Sequence, residues 1–576
     1  MYLLKFKLFS RPPVSGAERL FYKLAGLAES VNDSIVLPRG SSVLLDTFFN
    51  CLSAKYLKFA RCDNLRAEVV FSGSLCVQVR FRSPTEDKLL ASEELSSSEK
   101  LTAYIDIPDI APEEGFVYLR LRSSDNSTVF YGGGFCTDSV PKKIKLGIIV
   151  CTYCREEFVI RNMRCFADYL AEDPSFADRA GVFVVDNGRT LTPEELPDFV
   201  NLIPNDNTGG SGGFTRGLKE VLAAGEEYTH FLFMDDDVVF MPQVVDRTIG
   251  LLALLKEEYS AYCIGGAMLN LTCPMIQHEF GGKWLGNMLK GNRKDVDVST
   301  VNGLLKNETD LRSDYNAWWY MCMPLSSVRK FGLPLEMLFI KCDDVEYGLR
   351  AAEGFISVNG IAVWHENFDW KFNPAMEYFV KRNELIVNSR FPRDKGFFSN
   401  WAKMVVAVSK ALVEFRYFHI EMIERAYMDF LKGAEYVKSI DHAAFLREVK
   451  SRFPEHEPIE KFSAEYGFSP AAELAKSNAE PTRKFVEVVT LNGYFLPRST
   501  YRKYVVADMV YPKPVNFYRT AKAINYNPYT GKAFVTEIDK SKLFYGLGKI
   551  IKITFAMLLK YRKARRTYLK ENPEYK

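Results

Sequence analysis

Over the first 140 residues apolar and polar positions alternate in short runs, at 34–37, 67–71, 76–81 and 116–121. Side chains on a strand point alternately to its two faces, so period two predicts half-buried strands. The Gly, Ser, Pro and Asp clusters between the runs predict the turns that join them. The reading for residues 1–140 is a small antiparallel β-sandwich or barrel, which would bind carbohydrate or pack against another subunit. Nothing in it looks catalytic. At Pro141 the pattern changes. Continuous apolar runs at 144–150, 181–185 and 231–234 alternate with helical spacing at 158–170 and 215–224. Strands buried on both faces and separated by helices predict an α/β domain over 141–390, built on a mostly parallel sheet with helices on both sides. Beyond Pro374 apolar residues recur at helical spacing, as at 401–415 and 421–431, and predict a mainly helical domain over 391–576. A stretch rich in Pro and Tyr, 495–529, interrupts it.

Composition narrows this picture. The chain of 576 residues is 47% hydrophobic and 26% charged, with aromatics at 14%, as in soluble globular proteins of several domains. Its formal charge of +3 gives no support to nucleic-acid binding. The opening residues 1–8 mix apolar and basic side chains rather than forming a signal sequence, and no run approaches the roughly 18 uncharged apolar residues of a membrane span. Among the 11 cysteines only Cys151 and Cys154 are close, and no second such pair completes a zinc site. Reduced thiols and a cytoplasmic location are expected. Residues 549–570 mix Ile, Phe, Met and Leu with Lys552, Lys560, Arg562, Lys563, Arg565, Arg566 and Lys570. That is the pattern of a basic amphipathic helix, either lying on an anionic membrane surface or packed on its own domain.

Candidate chemistry gathers where the apolar runs end. The run at 231–234 stops at Asp235, Asp236 and Asp237. Three adjacent acids repel one another, and a divalent cation with a preference for oxygen ligands relieves them. In an extended chain Asp235 and Asp237 face the same way, with Asp236 facing elsewhere. Asp186 follows the run at 181–185, and a carboxylate there either accepts hydrogen bonds from a base or ribose or caps a turn. Residues 205–217, from Asn207 through Gly209 to Gly217, form a Gly-rich loop opening a helix, which favours phosphate groups without matching a P-loop. Asp343 and Asp344 stand at the start of a predicted helix. His365 ends a short apolar run and adds an imidazole suited to Mn²⁺. Trp318 and Trp319 offer aromatic faces to sugars or to a core, while His278 and Glu279 are weaker candidates for substrate hydroxyls.

These pieces, in this order, resemble the family 2 glycosyltransferases of GT-A fold, most closely the bacterial galactofuranosyltransferases of the mycobacterial galactan. The resemblance is carried by residues 151–155, 185–188, 207–217, 234–237, 318–319, 343–350 and 364–365. It implies a GT-A (Rossmann-like) mixed sheet, a β domain before it and helices after it. It also implies that Asp235, Asp237 and His365 hold a divalent metal, Mn²⁺ or Mg²⁺, on the diphosphate of a UDP-sugar. Arg155, Asp186 and Asn207, with Gly209 and Asp236, would contact that donor. Asp344 would be the general base, Asp343 would bind acceptor or donor sugar, and Trp318, Trp319 and His278 would line the acceptor site. The acceptor would be a glycolipid or polysaccharide and the enzyme a homo-oligomer on the inner face of the cell membrane. Cys154 and Cys342 depart from the family pattern and leave other sugar nucleotides open as donors. Two other classes fit less well. Nucleotidyl or phosphoryl transfer lacks a P-loop or kinase motif, and a non-catalytic carbohydrate-binding protein would not need the acid pair.

Overall fold

In the computed structural model, residues 1–111, 114–225, 227–286, 288–367, 372–391, 396–453, 455–481 and 484–571 are described. The alternating runs of the N-terminal module become ten antiparallel strands in one hydrogen-bonded network. Its spine is the strand Arg66–Arg82, in which Leu75, Val77, Val79 and Phe81 point inward at every second position. One edge pairs along its length with Asp87–Asp106. The other pairs first with Thr128–Cys136 and then with Phe116–Ser123.

The central sheet is seven-stranded and mixed. Val200–Pro204, Ala180–Asp186, Leu146–Thr152 and His230–Asp235 run parallel in that spatial order. Met321–Pro324 then enters antiparallel, followed by Cys263–Gly265 and Phe355–Ile356. A four-stranded sheet beside it contains Ile276–Glu279, Ala267–Asn270 and Ala362–His365. Register sets up the site, because Thr152 lies opposite Asp186 and Cys151 opposite Asp235, so three strands end at one level.

The helix expected at 215–224 begins six residues earlier, as Gly209–Ala223. Glycine has poor helix propensity, so the run conceals the first turns. Here it serves packing: a Cβ at Gly213 would overlap the Cys151 thiol, and one at Gly217 would overlap Ile149 on the central strand. The helix therefore lies closer to the sheet than side chains would permit.

No apolar gap separates the N-terminal module from the central sheet. One cluster of buried residues runs from Leu3 to Trp364, with the Phe49 ring 5.4 Å from that of Trp364. The buried Arg247 guanidinium donates to the carbonyls of Phe49 (2.8 Å) and Gly360 (2.9 Å), joining the two parts.

In the C-terminal region the helices Ala375–Arg390, Phe397–Val413, Tyr417–Phe430 and Ser541–Tyr568 pack together. The region is not helical throughout. Arg502–Asp508, Thr520–Asn527 and Lys532–Glu537 join Glu457–Pro458 in a four-stranded sheet. The strands Arg502–Asp508 and Thr520–Asn527 fall within the Pro- and Tyr-rich interruption, and their Tyr, Val and Ile content suits strands packed on one face.

Candidate active site

Asp235 is the last residue of its strand, and the chain turns there while Asp236 and Asp237 become buried. The turn is held from three directions. Asn162, on the helix Glu156–Glu172, donates from Nδ2 to the carbonyls of Asp236 (2.9 Å) and Val238 (3.1 Å). Thr152 Oγ1 donates to Asp236 Oδ2 at 2.7 Å. Val239 and Trp364 exchange backbone hydrogen bonds of 2.8 Å each, which draws His365 alongside the acids although it lies 128 positions beyond Asp237. Arg155, capping the helix 156–172, pairs with Asp237 and lies 3.3 Å from Asp236 Oδ1. Burial pushes the Asp236 carboxyl up to about 6, against the pull of that guanidinium.

Asp235, Asp237 and His365 offer ligand atoms within 4.8 Å of one another. His365 Nε2 lies 2.9 Å from Asp237 Oδ1 and 4.0 Å from Asp235 Oδ2. Ligands about 2.1 Å from a small octahedral cation sit about 3 Å apart when adjacent and about 4 Å apart when opposed, so these separations fit such an ion. The His365 Nδ1 is 2.5 Å from the Glu366 carbonyl, which can only accept. That bond directs the Nε2 lone pair toward the acids, as in metal-binding histidines. The donor set therefore fits Mn²⁺ or Mg²⁺.

The second acid group is built differently. Asp343 and Asp344 open the helix Asp343–Ala351, and the loop before them holds Phe339, Lys341 and Cys342 at φ of 65°, 71° and 62°. Non-glycine residues seldom occupy this left-handed region, and such strain persists only where the surroundings impose it. Here the helix Ala375–Arg390 imposes it. Asn383 Nδ2 donates to the carbonyls of Leu338, Ile340 and Lys341 at 2.8–2.9 Å. The buried Arg382 donates to those of Met337 and Leu338, both at 3.0 Å. Gly209, at φ 70°, packs against the Phe339 carbonyl, and any side chain there would overlap it. Both aspartyl carboxyls are pushed up by burial, and Asp343 also by the charge of Asp344.

The two groups meet. The Cys151 thiol, at the end of the central strand, is pushed well above its usual range by burial and then by Asp236, Asp235, Asp343 and Asp186 in turn. Four acids from three separate segments thus converge at the carboxyl ends of one sheet, where ligands of open α/β folds collect. Glu279, brought in through the strand paired with Ala267–Asn270, is pushed up to about 7 by burial and by Asp344. His278 sits half-buried beside it. Tyr315, buried and facing Glu279 and Asp344, was not anticipated, nor were Thr152, Asn162, Arg382 and Asn383. Two of these had a sequence signal, Thr152 within the motif at 151–155 and Tyr315 as the neighbour of the aromatic cluster.

Other expected residues are held by local contacts. The Asp186 carboxylate, almost fully buried, accepts from the backbone N–H groups of Gly188, Thr190 and Leu191 at 2.6–2.9 Å and so holds its own turn. Asn207 Oδ1 accepts from Gly209 N at 3.1 Å. Trp318 and Trp319, expected along the acceptor site, are core residues. They are 5% and 4% exposed, with Trp318 packed on Phe214 and Phe233 and Trp319 donating to the Gly266 carbonyl. The two rings pack into separate apolar clusters and leave no open platform. Cys342 is buried at the helix start, and Cys154 is exposed at φ 53°.

No protein-family model matches the chain. Galactofuranosyltransferase GlfT2 of Mycobacterium tuberculosis is 26% identical over 467 residues, covering 73% of this chain and 70% of that protein. GlfT2 of Mycolicibacterium smegmatis is 25% identical over 457 residues, covering 72% and 68%. Among solved structures, the mannosyltransferase PcManGT of Pyrobaculum calidifontis aligns at 14% identity and a TM-score of 0.28, over 55% of this chain and 82% of that one, a likeness too slight to inform the site. By its similarity to the two relatives over seven tenths of its length, the chain is a glycosyltransferase resembling the galactofuranosyltransferases.

Proposed function

We propose that the protein is a metal-dependent, inverting transferase of GT-A type that moves galactofuranose from UDP-galactofuranose onto a hydroxyl of a glycolipid or polysaccharide. The observation that carries this reading is the convergence of a cation-binding triad and a buried acid pair at the carboxyl ends of one sheet. When bound by Asp235, Asp237 and His365, the cation neutralises charge on the departing diphosphate. Arg155 supplies a guanidinium at the same edge of the site for the phosphate oxygens. Asp344 accepts the proton of the acceptor hydroxyl as that oxygen bonds to the anomeric carbon and the bond to UDP breaks on the opposite face. Asp343 and Glu279 hold sugar hydroxyls beside it, and Asn207 and Gly209 border the donor.

The test is nucleotide release from a panel of UDP-, GDP- and dTDP-sugars with Mn²⁺ and a galactofuranosyl acceptor. Release from UDP-galactofuranose should dominate, disappear with EDTA, and fall about 10²–10⁴-fold in Asp344→Asn with UDP binding retained. Release from another donor alone would discard the galactofuranose assignment. Full activity in Asp344→Asn would discard the base.

We also place the enzyme at an anionic membrane surface. The helix Ser541–Tyr568 turns Leu543, Ile553, Met557, Tyr561 and Tyr568 to its own domain and leaves Phe544, Leu547, Ile551, Phe555, Leu558 and Leu559 exposed among Lys560, Arg562 and Lys563. Apolar side chains flanked by cations suit a lipid interface. The exposed stripe begins before residue 549, where the sequence pattern started it. Replacing Phe555, Leu558 and Leu559 with Ser should abolish co-sedimentation with phosphatidylglycerol vesicles and leave transfer to a soluble acceptor intact. Unchanged sedimentation would remove the membrane assignment.

A further inference from the structure

A cavity of about 540 Å³ lies between the helices Ala375–Arg390 and Phe397–Val413, bounded by Glu414, Arg416, His419 and Phe372. Its volume falls in the roughly 300–1,000 Å³ range of small-molecule sites. Its walls hold polar atoms that no described residue satisfies. Glu414 is 3% exposed, yet among the described residues its Oε1 has no hydrogen-bond partner, the Lys410 Nζ lying 3.8 Å away. His419 Nδ1 and Arg416 Nε are likewise buried without a hydrogen-bond partner, although Arg416 Nη2 is anchored to the Met509 carbonyl at 2.7 Å. Buried polar groups left unpaired are costly, and three around one cavity point to a ligand that pairs with them.

The character of the walls limits what that ligand is. Glu377, Glu384 and Glu414 are interspersed with Lys381, Lys403, Lys410 and Arg416, so a phosphate or any strong anion would meet carboxylates wherever it met cations. Burial pushes Glu414 up to about 7, and burial with the charges of Arg416 and Lys410 lowers His419 to about 3, leaving a neutral imidazole. Phe372, with the Arg416 guanidinium over its ring at 5.4 Å, supplies an aromatic wall. Interspersed charges of both signs, a neutral imidazole and an aromatic face suit an uncharged polyol. The cavity also adjoins the acid pair. Asn383, beside the wall residue Glu384, donates to the carbonyl of Lys341, two residues before Asp343, at 2.8 Å.

We propose that this cavity is a second sugar-binding subsite, which takes an uncharged glycosyl residue of the acceptor chain remote from the hydroxyl presented to Asp344. It rests on the transferase reading for its place in the reaction and extends that reading to acceptor length. A long acceptor spans both sites, whereas a short one reaches only the acid pair.

Ala407, half-buried on the cavity wall, becomes the lever: Ala407→Trp fills the space without removing a core side chain. The probes are a galactofuranosyl disaccharide and hexasaccharide. In Ala407→Trp the KM for the hexasaccharide should rise about tenfold or more, with kcat/KM for the disaccharide within twofold of wild type. Glu414→Gln should shift the same ratio in the same direction, and it carries the test if the Trp variant does not fold. Equal losses on both acceptors, or none, would overturn the subsite and leave the transferase standing. Saturation-transfer NMR of the hexasaccharide gives a second readout that needs no turnover. Binding to wild type that Ala407→Trp abolishes would support the subsite even if no donor were turned over, and no saccharide binding to wild type would overturn it.

Discussion

Asp343 and Asp344 stand side by side at the first turn of their helix, in a loop whose backbone adopts the left-handed region at three non-glycine residues. Acids at a helix N-terminus are ordinarily stabilised by the dipole and kept ionised. Here burial works the other way and raises both carboxyls, and the charge of Asp344 raises Asp343 further. A base must be ionised to accept a proton, so the acid limb of kcat/KM should lie above the ordinary carboxylate value of about 4. Burial, not the charge of Asp343, raises Asp344, so Asp343→Asn should leave that limb above the ordinary value. A profile at saturating Mn²⁺ with its limb at the ordinary value, in the wild type or in Asp343→Asn, would contradict this account. Both acids stand out in the sequence, where they follow an apolar run. The loop strain does not, because it depends on carbonyls captured by a helix some forty residues later.

At the scale of elements, that helix positions the site. Asn383 turns one amide toward the carbonyls of Leu338, Ile340 and Lys341, and with Arg382 it sets where the acid pair stands. Asn383→Ala should lower kcat about 100-fold, the order expected when a reacting group moves by an ångström, while Mn²⁺ and UDP binding stay within twofold. A fall in thermal midpoint with kcat unchanged would make the clamp merely structural. The Gly-rich helix offers the converse case. Its motif was legible at 205–217, but its first two turns were not, because glycine signals looseness locally and close packing only once the strand beneath it is known.

Across the whole molecule, the N-terminal module supports the site. Phe49 packs on Trp364, the residue before His365, and Arg247 joins the Phe49 and Gly360 carbonyls. Deleting residues 1–140 exposes that shared core and strips the backing from a candidate metal ligand. The remainder should therefore be insoluble or should bind Mn²⁺ at least tenfold more weakly, where 10–100-fold is the usual effect of losing a ligand's support. A soluble, fully active fragment would show that the module is separable. The alternating pattern of residues 1–140 announced strands, but the extent to which their core merges with the next sheet was not visible. An inward-facing Phe reads the same whichever layer it meets.

What the sequence determined by itself is what depends on local chemistry: the period-two module, the apolar strands, the acids placed at their ends, and motif order specific enough to resemble a family. What only the tertiary structure decided depends on contacts between distant segments. His365 reaches Asp237 through a strand pairing at Val239 and Trp364. Trp318 and Trp319 went to the core because each met an apolar cluster drawn from distant segments. The strands Arg502–Asp508 and Thr520–Asn527 formed because each found the other in parallel register. Propensity acts over a few residues, whereas burial, hydrogen-bond satisfaction and charge convergence are settled by neighbours the local sequence does not name.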